Sequence, residues 1–492
     1  MRRLAVLACL VAYGAALYQR PVNNDCLRNV DTSSNQASLF PVEFRITGDN
    51  AIMKGGATEI QSSTGFSVTY YDTYKVVTDS LANVSYALLQ CGYPTPNDLP
   101  TLRTFSIPLT SLSILETVPY AYLELLGITD RVFDVSEFVV APCGQRLVQG
   151  CGRASPDSLE ASNDTLLADS VGDYTDGVVI ASPLAWPTQF SFSGASSPGL
   201  LQRAEWIKYL GTFFNLDAYA SQVYAAIERN YKRVAAAAQG SPSRPVIAWV
   251  SHFVYGEEEN FQLSFAAYKN ELVRAAGGVP LNVSDVLAIE GTAPSAFSAD
   301  QIVFGWGANG TFASKEAALE AFLDVLADAD YVIDETFVAD PTSYNFTSFV
   351  EQFSAGDVGP SEDDAWVAAQ RIYRPDKLLS ESMGWDWYEG AIPRADRVLE
   401  DVVSFVYPQA VAADYVRTWM RHISEEPVVV GPGDCAAPQN GCSAAPATIC
   451  PYISFCGDGT PVLLETNLTT GTAVGNRCTY AACSGASKGG NN

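Results

Sequence analysis

The sequence predicts an α/β protein of two Rossmann-like lobes joined by a long backbone helix, with a small disulfide-rich C-terminal appendix. Two observations carry this prediction. Residues 198–239 read as two consecutive helices with almost no breaker residue between them, and strand-like and helix-like segments alternate on either side. Such alternation is typical of parallel sheets with right-handed crossovers. Two lobes on a stiff connector leave a cleft between them, which suits the capture of a ligand.

The N-terminus has the three parts of a secretory signal peptide. Arg2 and Arg3 supply positive charge, residues 4–12 are apolar, and residues 14–16 are the small residues of a cleavage site. The apolar stretch is too short to span a bilayer, and no later stretch reaches the ~18 uninterrupted apolar residues of a membrane helix. We therefore expect a signal peptide over residues 1–16 and a protein that is secreted or associated with the cell surface.

The cysteine content agrees with an oxidising compartment. The chain has 11 cysteines, and removal of Cys9 with the signal peptide leaves an even number, which favours disulfides. Spacing alone does not choose among the pairings. Six of the ten cysteines that remain lie within residues 431–492, which predicts a small C-terminal appendix held together by disulfides. The ten cysteines are Cys26, Cys91, Cys143 and Cys151 in the first half, and Cys435, Cys442, Cys450, Cys456, Cys478 and Cys483 in the tail.

Sequons of the type Asn-x-Ser/Thr are numerous enough to indicate a glycosylated, eukaryotic protein surface. Each of these asparagines is expected to be exposed, and a glycan there would keep its patch out of a tight interface. The six sequons begin at Asn83, Asn163, Asn282, Asn309, Asn345 and Asn467.

Charge and composition exclude several classes of partner. The formal net charge is −26, which repels nucleic acid and anionic membrane surfaces. Hydrophobic residues make up 48% of the chain and charged residues 17%, so the chain can build substantial cores and is not a disordered acidic protein. We expect a monomer with a small-molecule ligand and no nucleic-acid partner.

The first lobe is predicted over residues 17–197. Residues 66–78 alternate apolar and polar side chains, a strand pattern rich in β-branched and aromatic residues, and a second strand follows. Residues 104–132 read as a short strand, a Ser/Thr-rich turn and a helix that ends at Gly127. Residues 176–192 read as a strand with a proline-bounded aromatic loop.

The backbone helix is predicted over residues 198–215 and the second lobe over residues 216–430. In the second lobe, residues 244–256 read as a buried strand, and residues 266–279 as a helix stopped by two glycines. Residues 301–335 read as strand, turn, helix and strand, which predicts parallel pairing.

Catalysis finds little support in the residues. A Ser/His/Asp hydrolase would need His252 or His422 as its base, and no Gly-x-Ser-x-Gly nucleophile turn is present. Two histidines also exclude a multi-histidine transition-metal site. We therefore predict a non-enzyme without a cofactor or metal, although an extracellular hydrolase that uses His252 remains an alternative.

Aromatic side chains near predicted strand ends are the stronger signal. In an open α/β sheet, ligands bind beyond the carboxyl ends of the strands. Rigid aromatic faces in a cleft suit a large, partly apolar ligand with polar edges. The candidate ligand-binding residues from this pattern are Trp186, Trp249, His252, Phe253, Tyr255, Trp385, Trp387 and Glu389.

Five segments, in order, resemble the helical-backbone class of substrate-binding proteins, which capture cobalamin, siderophores and haem for importers. They are IPLTSLSILETVPYAYLELLGITDRVFDV, LLQRAEWIKYLGTFFN, YKNELVRAAGG, DADYVIDE and GWDWYEGAIPRADRVLEDVV. Within this class, FSVTYYDTYKVVT, ALLQCG and the export features most resemble the algal cobalamin-acquisition proteins. The resemblance covers most of residues 66–408.

The resemblance implies capture of cobalamin in an interlobe cleft for cellular uptake, with cobalamin as a transported ligand. It implies a ligand loop in the first lobe that includes Thr110, Ser111 and Thr117. The aromatic residues would stack on the corrin, and Glu389 would accept hydrogen bonds from its peripheral amides. The glycosylation sites and the cysteine-rich tail depart from bacterial relatives, so the membrane receptor or transporter stays unknown. A ferric siderophore or haem is the alternative ligand.

Overall fold

The computed structural model describes most of the chain between residues 58 and 435. Residues 1–57, which include the predicted signal peptide and Cys26, lie outside the described part. Trp186 and the cysteines from Cys442 onward also lie outside it. Asn163, Asn309 and Asn467 also lie outside it. The described residues are 58–71, 74–91, 95–97, 99, 101–151, 177–180, 188–256, 258–307 and 310–435, with strand backbone at 453–455, 461–465 and 479–480.

Two small sheets form the first lobe. The elements of this lobe are β1 Phe66–Tyr70, β2 Tyr74–Asp79, β3 Val84–Gln90, β4 Arg103–Ile107, β5 Leu112–Ile114, α1 Val118–Leu126, β6 Val132–Val135, α2 Pro142–Cys151, β7 Gly177–Ile180 and β8 Gln189–Ser191. In one sheet, β1, β2 and β3 pair antiparallel and β4 adds parallel to β3; the other sheet is parallel, in the order β6-β5-β7-β8.

Local chemistry explains two outcomes in this lobe. The predicted strand over residues 66–78 is a hairpin, since the Tyr71 amide donates to the Tyr74 carbonyl at 2.9 Å and turns the chain back. The predicted helix end at Gly127 is confirmed: Gly127 has φ 67°, a left-handed conformation that glycine adopts without steric cost.

An eight-stranded mixed sheet forms the centre of the second lobe. The strands from here to the tail are β9 Val246–Tyr255, β10 Glu258–Ser264, β11 Val279–Pro280, β12 Thr292–Pro294, β13 Gln301–Gly305, β14 Tyr331–Asp334, β15 Ile372–Arg374, β16 Leu378–Ser380, β17 Arg421–His422, β18 Val428–Val430, β19 Ile453–Phe455, β20 Pro461–Glu465 and β21 Thr479–Tyr480. The order of the large sheet is β12-β13-β10-β9-β14-β15-β17, with the short β11 beside β9. A separate two-stranded parallel sheet joins β16 to β18, and the three short strands β19, β20 and β21 pair antiparallel in the tail.

Helices cover both faces of this sheet. The helix predicted to stop at two glycines is confirmed as α5 Ala267–Ala275, and Gly277 has φ 81°. The remaining α-helices of the described residues are α3 Leu200–Thr212, α4 Asp217–Gln239, α6 Val283–Leu287, α7 Lys315–Leu326, α8 Phe346–Gln352, α9 Ala365–Ala368 and α10 Ala395–Val406.

The prediction of parallel pairing for residues 301–335 is half wrong. Strand β14 does pair parallel with β9 and β15, but β13 pairs antiparallel with β10 and β12. The reason is that β9 and β10 form a hairpin, so β10 occupies the position beside β9 that a parallel β13 would have taken.

The two long helices α3 and α4 join the lobes. Helix α4 packs against α10 of the second lobe, while its first residue, Asp217, pairs with Lys75 at 2.7 Å and accepts from the Tyr70 hydroxyl at 2.5 Å in the first lobe. Buried apolar residues run without interruption from the first lobe through α3 and α4 to one face of the large sheet. A second apolar cluster covers the opposite face. The lobes therefore share a hydrophobic core.

No helix in the described part of the chain is long and apolar enough to cross a bilayer.

The start of the tail is tied to the body of the protein. Cys435 forms a disulfide with Cys143 of α2, which lies 292 residues earlier in the chain. Cys91 and Cys151 are also disulfide-bonded. The described residues thus show one cysteine of the predicted appendix stapled to the first lobe, and they do not show a disulfide-rich unit of its own.

Candidate functional site

A cleft of about 890 Å³ lies at the carboxyl ends of β9 and β14. These strands are parallel neighbours, so their ends meet at one edge of the sheet, where open α/β sheets bind ligands. The cleft was predicted to lie between the lobes, but its described lining residues all belong to the second lobe. They are Ser251, His252, Phe253, Val254, Tyr255, Gln262, Ser264, Ala266, Tyr268, Lys269, Ser298, Asp300, Gln301, Glu335, Phe337, Val338, Ala339, Gln352 and Tyr388.

Exposed aromatic side chains form the rim of the cleft. Tyr255, Phe337 and Tyr388 are 71%, 80% and 50% exposed. Phe253 packs between Tyr255 and Phe297, with ring centroids 6.5 Å and 5.6 Å away. Exposed apolar side chains beside a cavity are removed from water when a ligand covers them, and this burial favours binding. The rim is therefore suited to stacking against a flat or bulky molecule.

The floor of the cleft is a buried ion pair. The Lys269 ammonium donates to Ser264 Oγ at 2.9 Å, pairs with Glu335 Oε2, and lies 5.0 Å from the ring centroid of Trp249. Burial by itself would lower the pKa of Lys269, but the charge of Glu335 outweighs it and the pKa is raised. Lys269 therefore stays charged at the base of the cleft.

His252 is fully engaged by the protein. Its side chain is buried, with Nδ1 2.6 Å from Gln352 Oε1 and Nε2 2.8 Å from Glu259 Oε1. Burial raises the pKa of Glu259, but hydrogen bonds and charge from Lys315 and His252 lower it overall. Neither ring nitrogen is left to activate a serine.

The three tryptophans of the described candidates lie in the interior. Trp249, Trp385 and Trp387 are 3%, 7% and 3% exposed. Trp249 packs on Trp387 with ring centroids 5.8 Å apart, and Trp385 stacks on Tyr388 at 6.0 Å. Of this loop, the described cleft lining contains Tyr388 and neither tryptophan.

Glu389 faces the first lobe and not the cleft. It is 1% exposed and accepts hydrogen bonds from the amides of Val140 at 2.8 Å and Ala141 at 3.1 Å, just before α2. Burial, followed by the charge of Asp386, raises its pKa well above the usual value. Glu389 thus links the two lobes, and its role as an acceptor for ligand amides finds no support in this position.

Two more carboxyl groups share this junction between the lobes. Burial raises the pKa of Asp386 to about 6, although Asp386 accepts from the Trp419 indole at 2.7 Å. Burial and the charge of Asp386 raise the pKa of Glu124, on α1, to about 8.

The remaining candidates of the first lobe lie away from the described cleft lining. Thr110 is exposed, while Ser111 and Thr117 are half-buried, and Thr117 precedes the first turn of α1. A smaller cavity of about 170 Å³ lies between described residues of the two lobes; Trp387 lines it, and it shares Tyr268 and Tyr388 with the cleft. There the Arg203 guanidinium of α3 stacks 3.7 Å from the ring centroid of Tyr268.

Two other predictions concern glycans and metals. Asn83, Asn282 and Asn345 are exposed, and the last two accept backbone hydrogen bonds at the starts of α6 and α8. Glycosylation of these sites stays a prediction. No group of three or more His, Cys, Asp or Glu side chains in the described residues is arranged to hold a metal ion.

Sequence reasoning missed Lys269, Glu335 and Phe337. Glu335 and Phe337 lie just after the carboxyl end of β14, where ligands bind in open α/β sheets. An acidic and an aromatic residue at such a position could therefore have been predicted as ligand contacts. Lys269 lies in the first turn of α5, and nothing in its local sequence distinguishes it from a solvent-exposed lysine.

No family model and no curated protein matches this chain. Solved structures with a similar arrangement include Helicobacter pylori CeuE with Ni(II) bound (11% identity, TM-score 0.40, 62% of this chain and 86% of that one). Others are the periplasmic haem-binding protein RhuT from Roseiflexus in apo form (12%, 0.36, 61% and 99%) and an ABC-type Fe³⁺-hydroxamate transport system from Saccharomonospora viridis (15%, 0.37, 62% and 94%). At these values no ligand or partner is transferred to this chain.

Proposed function

We propose that this chain is an exported substrate-binding protein that captures cobalamin in the cleft of the second lobe. The observation that carries the proposal is the cleft of about 890 Å³ with its rim of exposed aromatic side chains. Pockets of ~300–1,000 Å³ hold organic ligands, and this one lies at the upper end of that range. The choice of cobalamin comes from the sequence resemblance.

The charges of the cleft favour a neutral ligand over an anionic one. Lys269 is the one lysine or arginine among the described lining residues, and Glu335 already neutralises it. Asp300 adds a further negative charge at the surface. A ferric siderophore with acidic groups, or haem with its two carboxylates, would find no unpaired cation there. An amide-rich molecule such as cobalamin meets no such conflict.

The alternative of a hydrolase is weaker than the binding function. A serine hydrolase needs a histidine whose ring nitrogen reaches the nucleophile. Both nitrogens of His252 are held by Gln352 and Glu259. We infer that the protein binds its ligand unchanged and presents it to a membrane receptor or transporter, acting as a monomer outside the cytoplasm.

Calorimetry of the purified protein with cobalamin, haem and a ferric siderophore tests the proposal. We expect heat of binding with cobalamin at micromolar concentrations, and its absence would refute the main assignment. Replacing Tyr255 and Phe337 together by alanine should weaken binding by about tenfold or more, because two stacking faces worth roughly 1 kcal/mol each are lost. The matched control is Tyr71→Ala, an exposed aromatic residue of the first lobe that should leave affinity unchanged.

A further inference from the structure

One oxygen of the buried Glu335 carboxylate has no hydrogen-bond partner. The side chain is 8% exposed, lines the cleft, and directs Oε2 to the ammonium of Lys269. Its Oε1 is buried and accepts no hydrogen bond. Buried polar atoms are almost always paired, and an unpaired charged acceptor is especially unfavourable. Because the residue Glu335 lines the cleft, a ligand that enters the cleft can supply the missing partner.

Lys269 does not offer a second binding function at this point. Its ammonium donates to Ser264 and Glu335 and lies 5.0 Å from the ring centroid of Trp249. The positive charge of Lys269 is thus already paired with a carboxylate, while that carboxylate keeps one oxygen open. The floor of the cleft therefore favours an N–H or O–H group over a second carboxylate or a phosphate.

Glu335 is the acceptor half of a buried salt bridge with Lys269, so the open oxygen Oε1 belongs to a carboxylate that is paired with a cation. A charged acceptor in a desolvated site binds neutral donors more strongly than an uncharged one does.

We propose that Glu335 is the specificity-determining acceptor of the cleft, with Oε1 receiving an N–H or O–H donor such as a primary amide of the ligand. The ligand class that it selects is neutral or cationic and rich in donors, and it rejects ligands whose periphery carries carboxylates. This inference rests on the proposed function, since it takes the cleft to be the binding site. A site built around a specific hydrogen bond discriminates strongly against ligands that cannot form it.

The test is calorimetry of wild type and Glu335→Gln, with cobalamin as the amide-bearing probe and haem as the carboxylate-bearing probe. We expect Glu335→Gln to weaken cobalamin binding by about 10- to 100-fold, because the one oxygen that glutamine keeps is uncharged and is taken by Lys269, which leaves the NH2 group facing the ligand donor. Glu320→Gln is the matched control, because it makes the same carboxylate-to-amide change at an exposed position of α7, outside the described cleft lining. It should change affinity by less than about threefold.

Glu335→Gln also leaves Lys269 buried without its ionic partner, so stability needs its own control. The double variant Lys269→Met with Glu335→Leu removes both charges, a change that buried ion pairs often tolerate. We expect it to keep its melting temperature near that of wild type and still lose cobalamin affinity. Intact affinity in this folded double variant would overturn the proposal.

The other outcomes separate this inference from the proposed function. If wild type binds cobalamin and Glu335→Gln binds it equally well, or Glu320→Gln weakens binding as much, the role of Glu335 is refuted and the function stands. If wild type binds haem and not cobalamin, the selection of donor-rich ligands is refuted together with the assignment of cobalamin. If wild type binds neither probe nor a ferric siderophore, both proposals fail.

Discussion

Two aromatic segments that look alike in sequence differ in structure. Residues 249–255 and residues 385–389 each combine aromatic and polar side chains near the carboxyl end of a strand. In β9, burial declines along the strand, so Trp249 is 3% exposed and Tyr255 is 71% exposed. In the second segment, Trp385, Asp386, Trp387 and Glu389 are all buried, and Tyr388 alone reaches the cleft.

The difference comes from what lies against each segment. The end of β9 extends past the packed part of the sheet, so its last side chains meet solvent. The segment 385–389 is covered on two sides: Glu389 binds the amides before α2, and Asp386 binds the Trp419 indole. Residue type therefore predicts what an aromatic side chain can contact, while tertiary packing decides whether a ligand can reach it.

The sharpest test of this comparison is Trp387→Ala. We expect the free energy of unfolding to fall by about 3–5 kcal/mol, because a fully packed indole is replaced by a cavity. Denaturant unfolding followed by fluorescence or circular dichroism measures the change. Tyr255→Ala, at the exposed end of β9, is the control and should stay within about 0.5 kcal/mol of wild type. Similar values for the two variants would show that residues 385–389 are not a packed junction.

A smaller effect is expected from Glu389→Ala. The substitution leaves the buried amides of Val140 and Ala141 without an acceptor, which should cost about 2 kcal/mol after relief of the carboxylate's own burial. Glu389→Gln keeps one acceptor oxygen and should lie between the alanine variant and wild type. Glu381→Ala, in the exposed part of the same loop, should have no effect. Unfolding free energies that do not follow this order would argue against a link between the lobes.

The last prediction concerns the dependence of stability on pH. The pKa of Asp386 is raised from 3.8 to about 6 and that of Glu124 from 4.5 to about 8, so the folded protein holds protons that the unfolded chain releases. The stabilisation that these two groups provide in their protonated form is present at acidic pH. It is lost as the pH rises through their raised pKa values, about 6 for Asp386 and about 8 for Glu124. We expect Glu124→Gln to show a shallower decrease between pH 5 and 8 in urea unfolding. An equal or steeper decrease in Glu124→Gln would contradict the assignment.

The parts of the fold that local chemistry determines could be predicted from sequence. The ends of α1 and α5 follow from Gly127 and Gly277, each at the position where a left-handed residue ends a helix. The antiparallel pairing of β13 could not be predicted, because it depends on β10 occupying the neighbouring position in the sheet.

The candidate site was predictable only in part for the same reason. Strand β9 and its aromatic end were identifiable, since the pattern of the strand and its end lie within one short segment. The pairing of Lys269 with Glu335 joins residues 66 apart, and the contact of Glu389 with Val140 joins residues 249 apart. Such contacts are properties of the packed fold, and no short segment of sequence records them.

The disulfide between Cys143 and Cys435 has a consequence for biosynthesis. The ribosome makes Cys143 long before Cys435, since 292 residues separate them, so this bond cannot form until translation has passed Cys435. Until then Cys143 is a free thiol or is held in a temporary disulfide with another thiol. A chain truncated before Cys435 would keep that thiol, which marks it chemically as unfinished. Thiol labelling of Cys143 would therefore distinguish complete molecules from interrupted ones.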